Sequence, residues 1–431
     1  MQYFGTDGIR EKEGIFTPDF LARIARATVG LKERPKVVIG RDPRVSGERI
    51  EGVLTGTLLR FGAEVLSAGM TPTPVLAFLT RHFNADFGIM ISASHNPPEY
   101  NGIKFLKTDG RKIEESTEAA LERLIDNPCP LEEREGVLTR IEGNRLYIDD
   151  LCRKLQPSVA GMRILMDTAN GATAEIAPQL FRELGCDVTA IYTETDGVRI
   201  NENCGATHIE TLAEAMRKGS YDLGFSFDGD GDRLMAAVGG RILDGDHILY
   251  VVARVLQQQG TLKDNTVVGT VMTNLGTEKS AAKHGIRLIR TKVGDKYVSD
   301  EMERNGYAAG GETSGHLIFS AYHTTGDGIL AALLLAVIER KYGVLNLDDL
   351  EEYPQSHQDI LTDADGIAAF DRSEAIKSYL RKVEGEIDGR IVVRKSGTEP
   401  KIRIMAEGKT KAESEAIARE IRTFILEQIK Q

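Results

Sequence analysis

Three aspartates alternate with glycines in FDGDGDR, residues 227–233. In an extended loop, a period of two sends Asp228, Asp230 and Asp232 to one side. Three carboxylates that close repel one another unless a cation binds them. Hard oxygen ligands suit Mg²⁺ or Ca²⁺. An EF-hand needs glycine at loop position six and glutamate at position twelve. Arg233 and Gly239 stand there instead. The competing reading is a solvated Asp/Gly turn.

Three further loops carry reactive side chains. In ISASHNP (91–97), the apolar strand FGIMI runs directly into Ser92, Ala93, Ser94, His95, Asn96 and Pro97. Ligands bind at such strand ends in α/β folds. A serine there is a nucleophile or a carrier of a transferable group. No GxSxG elbow is present, which disfavours an acyl hydrolase. In GGETSGH (310–316), Glu312, Ser314 and His316 alternate. Carboxylate, hydroxyl and imidazole together suit sugar hydroxyls and proton transfer. The preceding KVGDKYV (292–298), with Gly294 and Asp295, has the same polar character. In RKSGTEPKIR (394–403), Arg394, Lys395, Lys401 and Arg403 face one acid, Glu399. With Ser396, Gly397 and Thr398 beside them, they make a nest for phosphate. Each loop also has a bland reading as a polar turn.

These loops need elements to position them. Three segments share one pattern: apolar strand, Gly/Asp/Asn turn, amphipathic helix ending in glycine, second strand. They begin at KVVIGRD (36–42), RILMDTANG (163–171) and NTVVGTVMTN (265–274). Gly62, Gly185 and Gly285 stand where the chain must turn left-handed after a helix. Strands alternating with helices predict βαβ units and parallel sheets. The tail differs. Two strands around a polar loop and one closing helix predict a smaller α+β unit. Polar DLEEYPQSHQ (349–358) reads as a linker, and a second boundary falls near Gly143.

Composition agrees. A chain of 431 residues exceeds a single core, which stops growing near roughly 250–300 residues. Hydrophobic residues at 41% and charged residues at 28% are ordinary for a folded protein. A net charge of −11 argues against a nucleic-acid or membrane-surface partner, because those reward basic surface. The longest apolar run, ILAALLLAVI (329–338), is too short to span a bilayer and predicts a buried helix. No signal peptide is visible at MQYFGTDGIR. Four cysteines without a CxxC pair imply reduced thiols, so a cytoplasmic protein is expected.

Together the loops point to phosphoryl transfer on a phosphorylated small molecule. No P-loop and no kinase glycine loop offers a nucleotide its usual cradle. The donor is then expected to be the protein itself, as a phosphoserine at position 94. Two other classes compete. A haloacid-dehalogenase-type phosphatase would use Asp228 as nucleophile and leave Ser94 idle. A non-catalytic sugar-phosphate or Mg²⁺ binding protein would need no turnover.

At these motifs the chain resembles the α-D-phosphohexomutases. The resemblance runs the whole length, through YFGTDGIR (3–10), ISASHNP, YNGIKF (100–105), FDGDGDR, the GE-x-SGH loop and RKSGTEP. It implies three tandem, similar α/β domains with mixed sheets between helices, then a smaller C-terminal α+β domain. The whole would be heart-shaped with a central cleft. The expected domains are 1–143 with the phosphoserine loop, 144–245 with the metal loop, 246–355 with the sugar loop, and 359–431 as a mobile phosphate-binding lid.

By the same resemblance Ser94 would be the phosphoserine and would ligate one Mg²⁺ with Asp228, Asp230 and Asp232. Arg10 would help hold the transferring phosphate, with Lys104 and His316 as acid and base. Arg233, Gly294, Asp295, Glu312 and Ser314 would bind the sugar. Arg394, Ser396, Gly397, Thr398 and Arg403 would hold the non-reacting phosphate. The implied reaction moves phosphate between the 6 and 1 positions of a hexosamine or hexose phosphate, through a 1,6-bisphosphate that also activates the enzyme. The opening FGTDGIR and ISASHNP favour glucosamine phosphate, a source of UDP-N-acetylglucosamine, over glucose or mannose phosphate. Thr313 departs from the family's usual Asn or Gln and bears on that choice. A monomer or homodimer is expected.

Overall fold

The structure is a computed structural model that describes residues 2–5, 7–343, 345, 347–396 and 401–429. The chain forms two compact units, residues 1–268 with 294–345 and residues 269–293 with 346–431.

The first unit opens with a mixed sheet. Its elements are β1 (Phe4–Gly5), β2 (Gly8–Lys12), α1 (Pro18–Leu31), β3 (Lys36–Arg41), α2 (Gly47–Arg60), β4 (Glu64–Met70), α3 (Thr73–His82), β5 (Phe87–Ile91), β6 (Tyr100–Lys107), α4 (Glu115–Asp126) and β7 (Val137–Arg140). The sheet order is β1-β2-β6-β5-β3-β4-β7. Helix α1 starts where Thr17 accepts from the Phe20 amide and proline fills the first turn, a position that needs no N–H donor. Its buried face, Phe20, Leu21, Ile24, Ala25 and Thr28, follows the helical period. Strand β3 runs parallel to both β4 and β5, with Arg41 opposite Ile91. Parallel neighbours end on the same edge. Residues following β3 and β5 therefore meet, and the Asp42 amide donates to Ile91 O at 3.0 Å.

A second sheet follows α5 (Gly143–Leu155). It contains β8 (Arg163–Asp167), α6 (Thr173–Glu183), β9 (Asp187–Ile191), α7 (Ile209–Lys218), β10 (Leu223–Phe227), β11 (Leu234–Val238) and β12 (Arg241–Leu243). The order is β12-β11-β10-β8-β9. The DGDGD loop is the connection between antiparallel β10 and β11. The third repeat comprises α8 (Gly245–Gln258), β13 (Thr266–Thr270), α9 (Leu275–Lys283), β14 (Arg287–Thr291), α10 (Asp295–Asn305), β15 (Ala309–Gly311), β16 (Leu317–Phe319) and α11 (Gly328–Tyr342). Strand β15 runs parallel to β13 and antiparallel to β16, so residues 312–316 form the loop between β15 and β16. Helix α11 carries the long apolar run and is buried along it, as its composition predicts. Among the described residues no helix is long and apolar enough to cross a membrane. Gly62, Gly185 and Gly285 have φ of +83°, +83° and +70°, the left-handed turns the repeat pattern predicts.

The second unit holds α9 and β14 together with β17 (Gln355–Leu361), α12 (Ala364–Arg372), α13 (Glu374–Glu386), β18 (Arg390–Lys395), β19 (Lys401–Glu407) and α14 (Lys411–Ile429). Its antiparallel order β17-β19-β18 buries Ile360, Ile391, Ile402, Ile404, Ile421 and Ile425. The expectation of a linker over 349–358 needs correction. From Gln355 the chain is strand, paired from Gln355↔Glu407 to Leu361↔Lys401. Its apolar content is too low to reveal a strand, and pairing with β19 supplies the order.

One buried histidine makes the fold acid-sensitive. His323 is almost fully buried and packs edge-on against Tyr147, with ring centroids 6.3 Å apart. Burial, with Arg81 and Lys154 nearby, pushes its pKa down to about 3. The native imidazole therefore stays neutral while the unfolded one protonates below its ordinary value near 6.5. The unfolded state binds the extra proton, so stability is lost as pH falls from 6.5 toward 3. The slope is about 1.4 kcal/mol per pH unit. Denaturant melts of wild type and His323→Gln at pH 6 and pH 4 read it directly. The variant loses that share of the slope. An unchanged slope excludes the histidine as its source.

Candidate functional site

Ser94 is 1% exposed, and its φ of +51° is left-handed. For a residue with a β-carbon that conformation costs roughly 1–3 kcal/mol and persists only where the surroundings over-determine it. Here they do. The Ser94 amide donates to Ser92 Oγ at 2.8 Å, and Ser92 Oγ donates to Asp42 Oδ2 at 2.7 Å. The loop's carbonyls converge on the buried guanidinium of Arg44. It donates to the carbonyls of Ser94 (2.9 Å), Asn96 (2.7 Å), Pro97 (2.5 Å) and Tyr100 (2.9 Å), while Asp42 holds its Nε at 3.0 Å. From the second sheet's loops, Asn201 Nδ2 donates to Ser94 O at 2.9 Å and Asn96 O at 3.1 Å.

Sequence reasoning missed Asp42, Arg44 and Asn201. The available signal was a charged pair directly after the apolar strand of KVVIGRD. Asn201 carried none, because its meaning depends on a contact across more than a hundred residues.

The three aspartates come together as their alternation predicts. Asp228, Asp230 and Asp232 are all buried, and their ligand oxygens lie within 4.8 Å of one another. Gly231, at φ +73°, provides the turn that brings them round. Ser94 Oγ donates to Asp228 Oδ2 at 2.8 Å. Burial, together with Asp232 and Asp230, raises the Asp228 pKa well above the usual carboxylate range. Asp230 Oδ1 and Asp232 Oδ1 are buried without a hydrogen-bond partner. Hard oxygens, clustered negative charge and orphaned lone pairs fit a divalent cation such as Mg²⁺. Asp228, Asp230, Asp232 and Ser94 would hold it.

Around the triad, charges alternate. Lys104 Nζ lies 2.7 Å from Asp230, 3.1 Å from Asp7 and 3.4 Å from Asp232. Burial works against its charge, but Asp230, Asp7 and Asp232 raise its pKa well above the ordinary lysine value. Thr73 Oγ1 donates to Asp230 Oδ2 at 2.6 Å. Arg10 pairs with Asp7. Lys112 pairs with Asp7 and, at 2.6 Å, with Asp295, which in turn lies 3.4 Å from His316 Nε2. Asp7 is held well below the usual carboxylate range: burial opposes this, and Lys104, Lys112 and Arg10 overcome it.

Lys104 is thus held as a cation among Asp230, Asp7 and Asp232. The Asp295 carboxylate pairs with Lys112 and lies beside His316. Asp7, Lys112 and Thr73 were missed as site residues, although Asp7 lies inside the motif GTDGIR.

The remaining residues divide. The Arg233 amide donates to Asp228 Oδ1 at 3.2 Å, and its guanidinium sits 4.0 Å from Asp232. Arg233 also bridges to His316 through the backbone, which brings the metal loop and the 312–316 loop together. His316 is 4% exposed and its Nδ1 has no hydrogen-bond partner. Burial, and then Arg233 and Arg10, push the His95 pKa down to about 3. That marks a locally cationic pocket beside Ser94 despite the acidic chain. Glu312 Oε1 accepts from the Gly294 amide at 3.0 Å, and Ser314 is exposed. Thr313 Oγ1 donates to Asp246 at 2.9 Å.

In the second unit Arg394 and Arg403 are cross-strand partners. Burial and the Arg403 charge lower the Arg394 pKa. Two like charges directly opposite are unfavourable, and Asp359, opposite Arg403 on β17, offsets part of that repulsion. The Ser396 amide donates to Lys401 O at 2.8 Å and closes the loop. Gly397 and Thr398 lie outside the described residues.

Comparisons with known proteins agree with this arrangement. Models described as phosphoglucomutase/phosphomannomutase, alpha/beta/alpha domains I, II and III match residues 1–129, 145–241 and 244–356, and the C-terminal domain model matches 358–424. The phosphoglucosamine mutase of Bacillus subtilis (strain 168) is 42% identical over 428 residues, 95% of both chains. That of Thermoanaerobacter sp. (strain X514) is 43% identical over 441 residues, 98% of both. Among solved structures, a phosphoglucomutase/phosphomannomutase family protein from Burkholderia thailandensis superposes with a TM-score of 0.83 at 23% identity, covering 99% of this chain and 97% of its own. Aspergillus fumigatus N-acetylphosphoglucosamine mutase, in complex with GlcNAc-6P and magnesium, gives 0.70 at 18% identity over 97% and 94%. At those identities the structures speak for the fold. With relatives above 40% identity along nearly its whole length, the chain belongs to the phosphoglucomutase/phosphomannomutase family.

Proposed function

We propose that the protein is a phosphoglucosamine mutase, an isomerase that interconverts glucosamine 6-phosphate and glucosamine 1-phosphate. Its relatives above 40% identity carry that activity in their names. The observation that carries the chemistry is the buried Ser94 hydroxyl, hydrogen-bonded to Asp228 at the edge of a carboxylate triad.

In this reading Ser94 carries phosphate. In the first half-reaction the Oγ–P bond breaks and a bond forms between phosphorus and the free sugar hydroxyl. That hydroxyl's proton passes to His316. In the second half-reaction the 1,6-bisphosphate, turned end for end, returns its other phosphate to Ser94, and the proton goes back to the freed sugar oxygen. Mg²⁺ held by the triad and Ser94 would neutralise charge on the transferring phosphate. Arg10 and Arg233 bring positive charge to the same phosphate, and Lys104, kept protonated, donates to it. Burial of Ser94 keeps water away, and this favours transfer over hydrolysis. Glu312 and Ser314 bind sugar hydroxyls. Thr313 points its hydroxyl at Asp246 and so fixes this loop. Arg394 and Arg403, with Ser396, Gly397 and Thr398, hold the phosphate that does not react.

Assays with glucosamine, glucose and mannose 6-phosphates test the reading. Glucosamine 6-phosphate gives the highest kcat/KM. A preference for glucose or mannose phosphate assigns the chain to the other branch of its family. Intact mass shows an added phosphate of about 80 Da on the active enzyme. Release of inorganic phosphate without isomerisation would instead mean a phosphatase. Arg403→Ala raises KM about tenfold and changes kcat less, because the arginine pair grips both orientations of the sugar. A fall in kcat at constant KM removes Arg403 from this role.

A further inference from the structure

The backbone of the Ser94 loop is held by buried groups that leave the Ser94 hydroxyl untouched. Arg44 is wholly buried, and its guanidinium takes the carbonyls of Ser94, Asn96, Pro97 and Tyr100. Asp42 balances its charge at 3.0 Å and also receives the Ser92 hydroxyl. Ser92 Oγ in turn accepts from the Ser94 amide. From the second sheet, Asn201 donates to two of the same carbonyls, those of Ser94 and Asn96. Ser94 O therefore receives two donors at 2.9 Å from two different domains.

The fit leaves no slack. A β-carbon on Gly229 would meet Ser94 O at 2.7 Å and Asn201 Nδ2 at 2.8 Å. A β-carbon on Gly197 would meet Pro43 O at 2.1 Å. Both glycines belong to loops of the second sheet, and one of them lies inside the DGDGD loop. The backbone that carries the nucleophile and the backbone that carries the metal ligands are thus packed directly on each other at Gly229. Asn201 bonds across this contact, and Arg44 holds the same carbonyls from the first sheet's side.

Two features say that this is more than stability. First, Arg44 and Asn201 hold the carbonyls of one segment, residues 94–100, whose serine is left-handed. Second, both donors at Ser94 O fix the peptide plane that follows Ser94, and with it the direction of the side chain toward Asp228. A loop free to relax to right-handed φ would carry Oγ away from the triad.

We propose that Arg44, seated by Asp42 and joined by Asn201, is a positioning cradle. It holds Ser94 Oγ in line for phosphoryl transfer in both half-reactions and registers it against the aspartate triad. This rests on the phosphoserine reading above. The cradle acts on transfer rather than on sugar binding, because its donors are spent on backbone carbonyls of residues 94–100. A misplacement of about 1 Å in a reacting group can lower a rate roughly 10²-fold.

The test uses the full-length enzyme with Asn201→Ala, Arg44→Lys and Arg44→Gln. Asn201→Ala is the mildest, since it removes two hydrogen bonds and leaves Arg44 in place. Each variant is first shown to be folded by circular dichroism and by its melting temperature. It is then dephosphorylated, and Ser94 is rephosphorylated with glucosamine 1,6-bisphosphate. In that step an Oγ–P bond forms, a sugar O–P bond breaks, and the serine proton moves to the sugar oxygen. Intact mass follows the step.

Asn201→Ala slows rephosphorylation and kcat together by about tenfold, and Arg44→Gln by about 10²-fold or more. KM for the sugar monophosphate stays within about twofold. Arg44→Lys recovers part of the loss, since an ammonium still reaches some of the carbonyls. Folded variants with wild-type rephosphorylation rates overturn the cradle. So does a loss of activity that merely tracks the unfolded fraction, or one that appears in KM alone. If Arg44→Gln does not fold, Asn201→Ala decides by the same readouts. A wild-type enzyme that takes no phosphate on Ser94 sinks the phosphoserine reading itself. A wild type that takes it, beside variants that take it equally fast, sinks only the cradle.

Discussion

Ser94→Ala leaves a folded protein that isomerises nothing. The expected loss in kcat is of the order of 10⁴-fold or more, the scale seen when a reacting nucleophile is removed. The reason is specific to the site. No other hydroxyl shares the position: Ser92 Oγ is committed to Asp42 and to the Ser94 amide. Neither Arg10 nor Lys104 can carry phosphate stably in its place. The variant keeps the cradle, because Arg44 and Asn201 bind the backbone carbonyl and not the hydroxyl. It loses the hydrogen bond to Asp228, whose pKa is already raised well above its ordinary value by burial and by Asp232 and Asp230. One hydrogen bond is lost and the backbone contacts remain, so stability changes by no more than about 1–2 kcal/mol. Coupled kinetic assays, intact mass and a thermal melt check all three statements. Residual isomerisation above background, or an added phosphate on the variant, places the transferable group elsewhere.

Asp230→Asn has the second-largest effect, and it reaches the metal and the lysine together. Asp230 offers one unpartnered oxygen to a cation, while its other oxygen accepts from Lys104 and Thr73. The amide keeps the shape and removes the charge. A ligand set of three carboxylates becomes two, and Mg²⁺ affinity falls by about 10²-fold or more. Turnover falls with it by roughly 10²- to 10⁴-fold, since a bound cation contributes several kcal/mol to stabilising developing charge. Lys104 retains Asp7 and Asp232 as partners, so the fold survives. Calorimetric titration of Mg²⁺ reads the first effect without any turnover, and steady-state rates read the second. Chelation of the wild type reproduces the loss in rate, and added Mg²⁺ restores it. Wild-type Mg²⁺ affinity in the variant, or full activity of the enzyme in EDTA, removes the metal from the triad.

The chemistry was unevenly legible in the chain. FDGDGDR predicted convergent carboxylates because alternation is a local rule, and the structure brings all three together within 4.8 Å. GGETSGH obeyed the same alternation with a different outcome. His316 is buried and Ser314 exposed, because a short loop between antiparallel strands turns its residues through more than one direction. Lys104 was visible as a motif lysine, but its protonation state was not. That state depends on Asp7, Asp230 and Asp232, contributed from elsewhere in the chain. Likewise Asp295 reads in the sequence as part of a polar loop, and only the structure shows it opening α10 with its carboxylate paired to Lys112.

The repeated strand–helix pattern and the convergence of the three aspartates were legible from local spacing, since period-two alternation and helix-terminal glycine are properties of a few adjacent residues. The family was legible from its motifs, which the resemblance rested on. Tertiary structure alone decided how Ser94 is held. Arg44, Asp42 and Asn201 are an arginine, an aspartate and an asparagine with no periodicity and no motif of their own. Parallel pairing of β3 with β5 puts Asp42 and Arg44 beneath the serine loop, and the packing of Gly229 against Ser94 O brings Asn201 within reach. A hydrogen bond is satisfied by whichever donor the fold delivers, so the charged residues after β3 gave only a hint of Asp42 and Arg44, and nothing local pointed to Asn201.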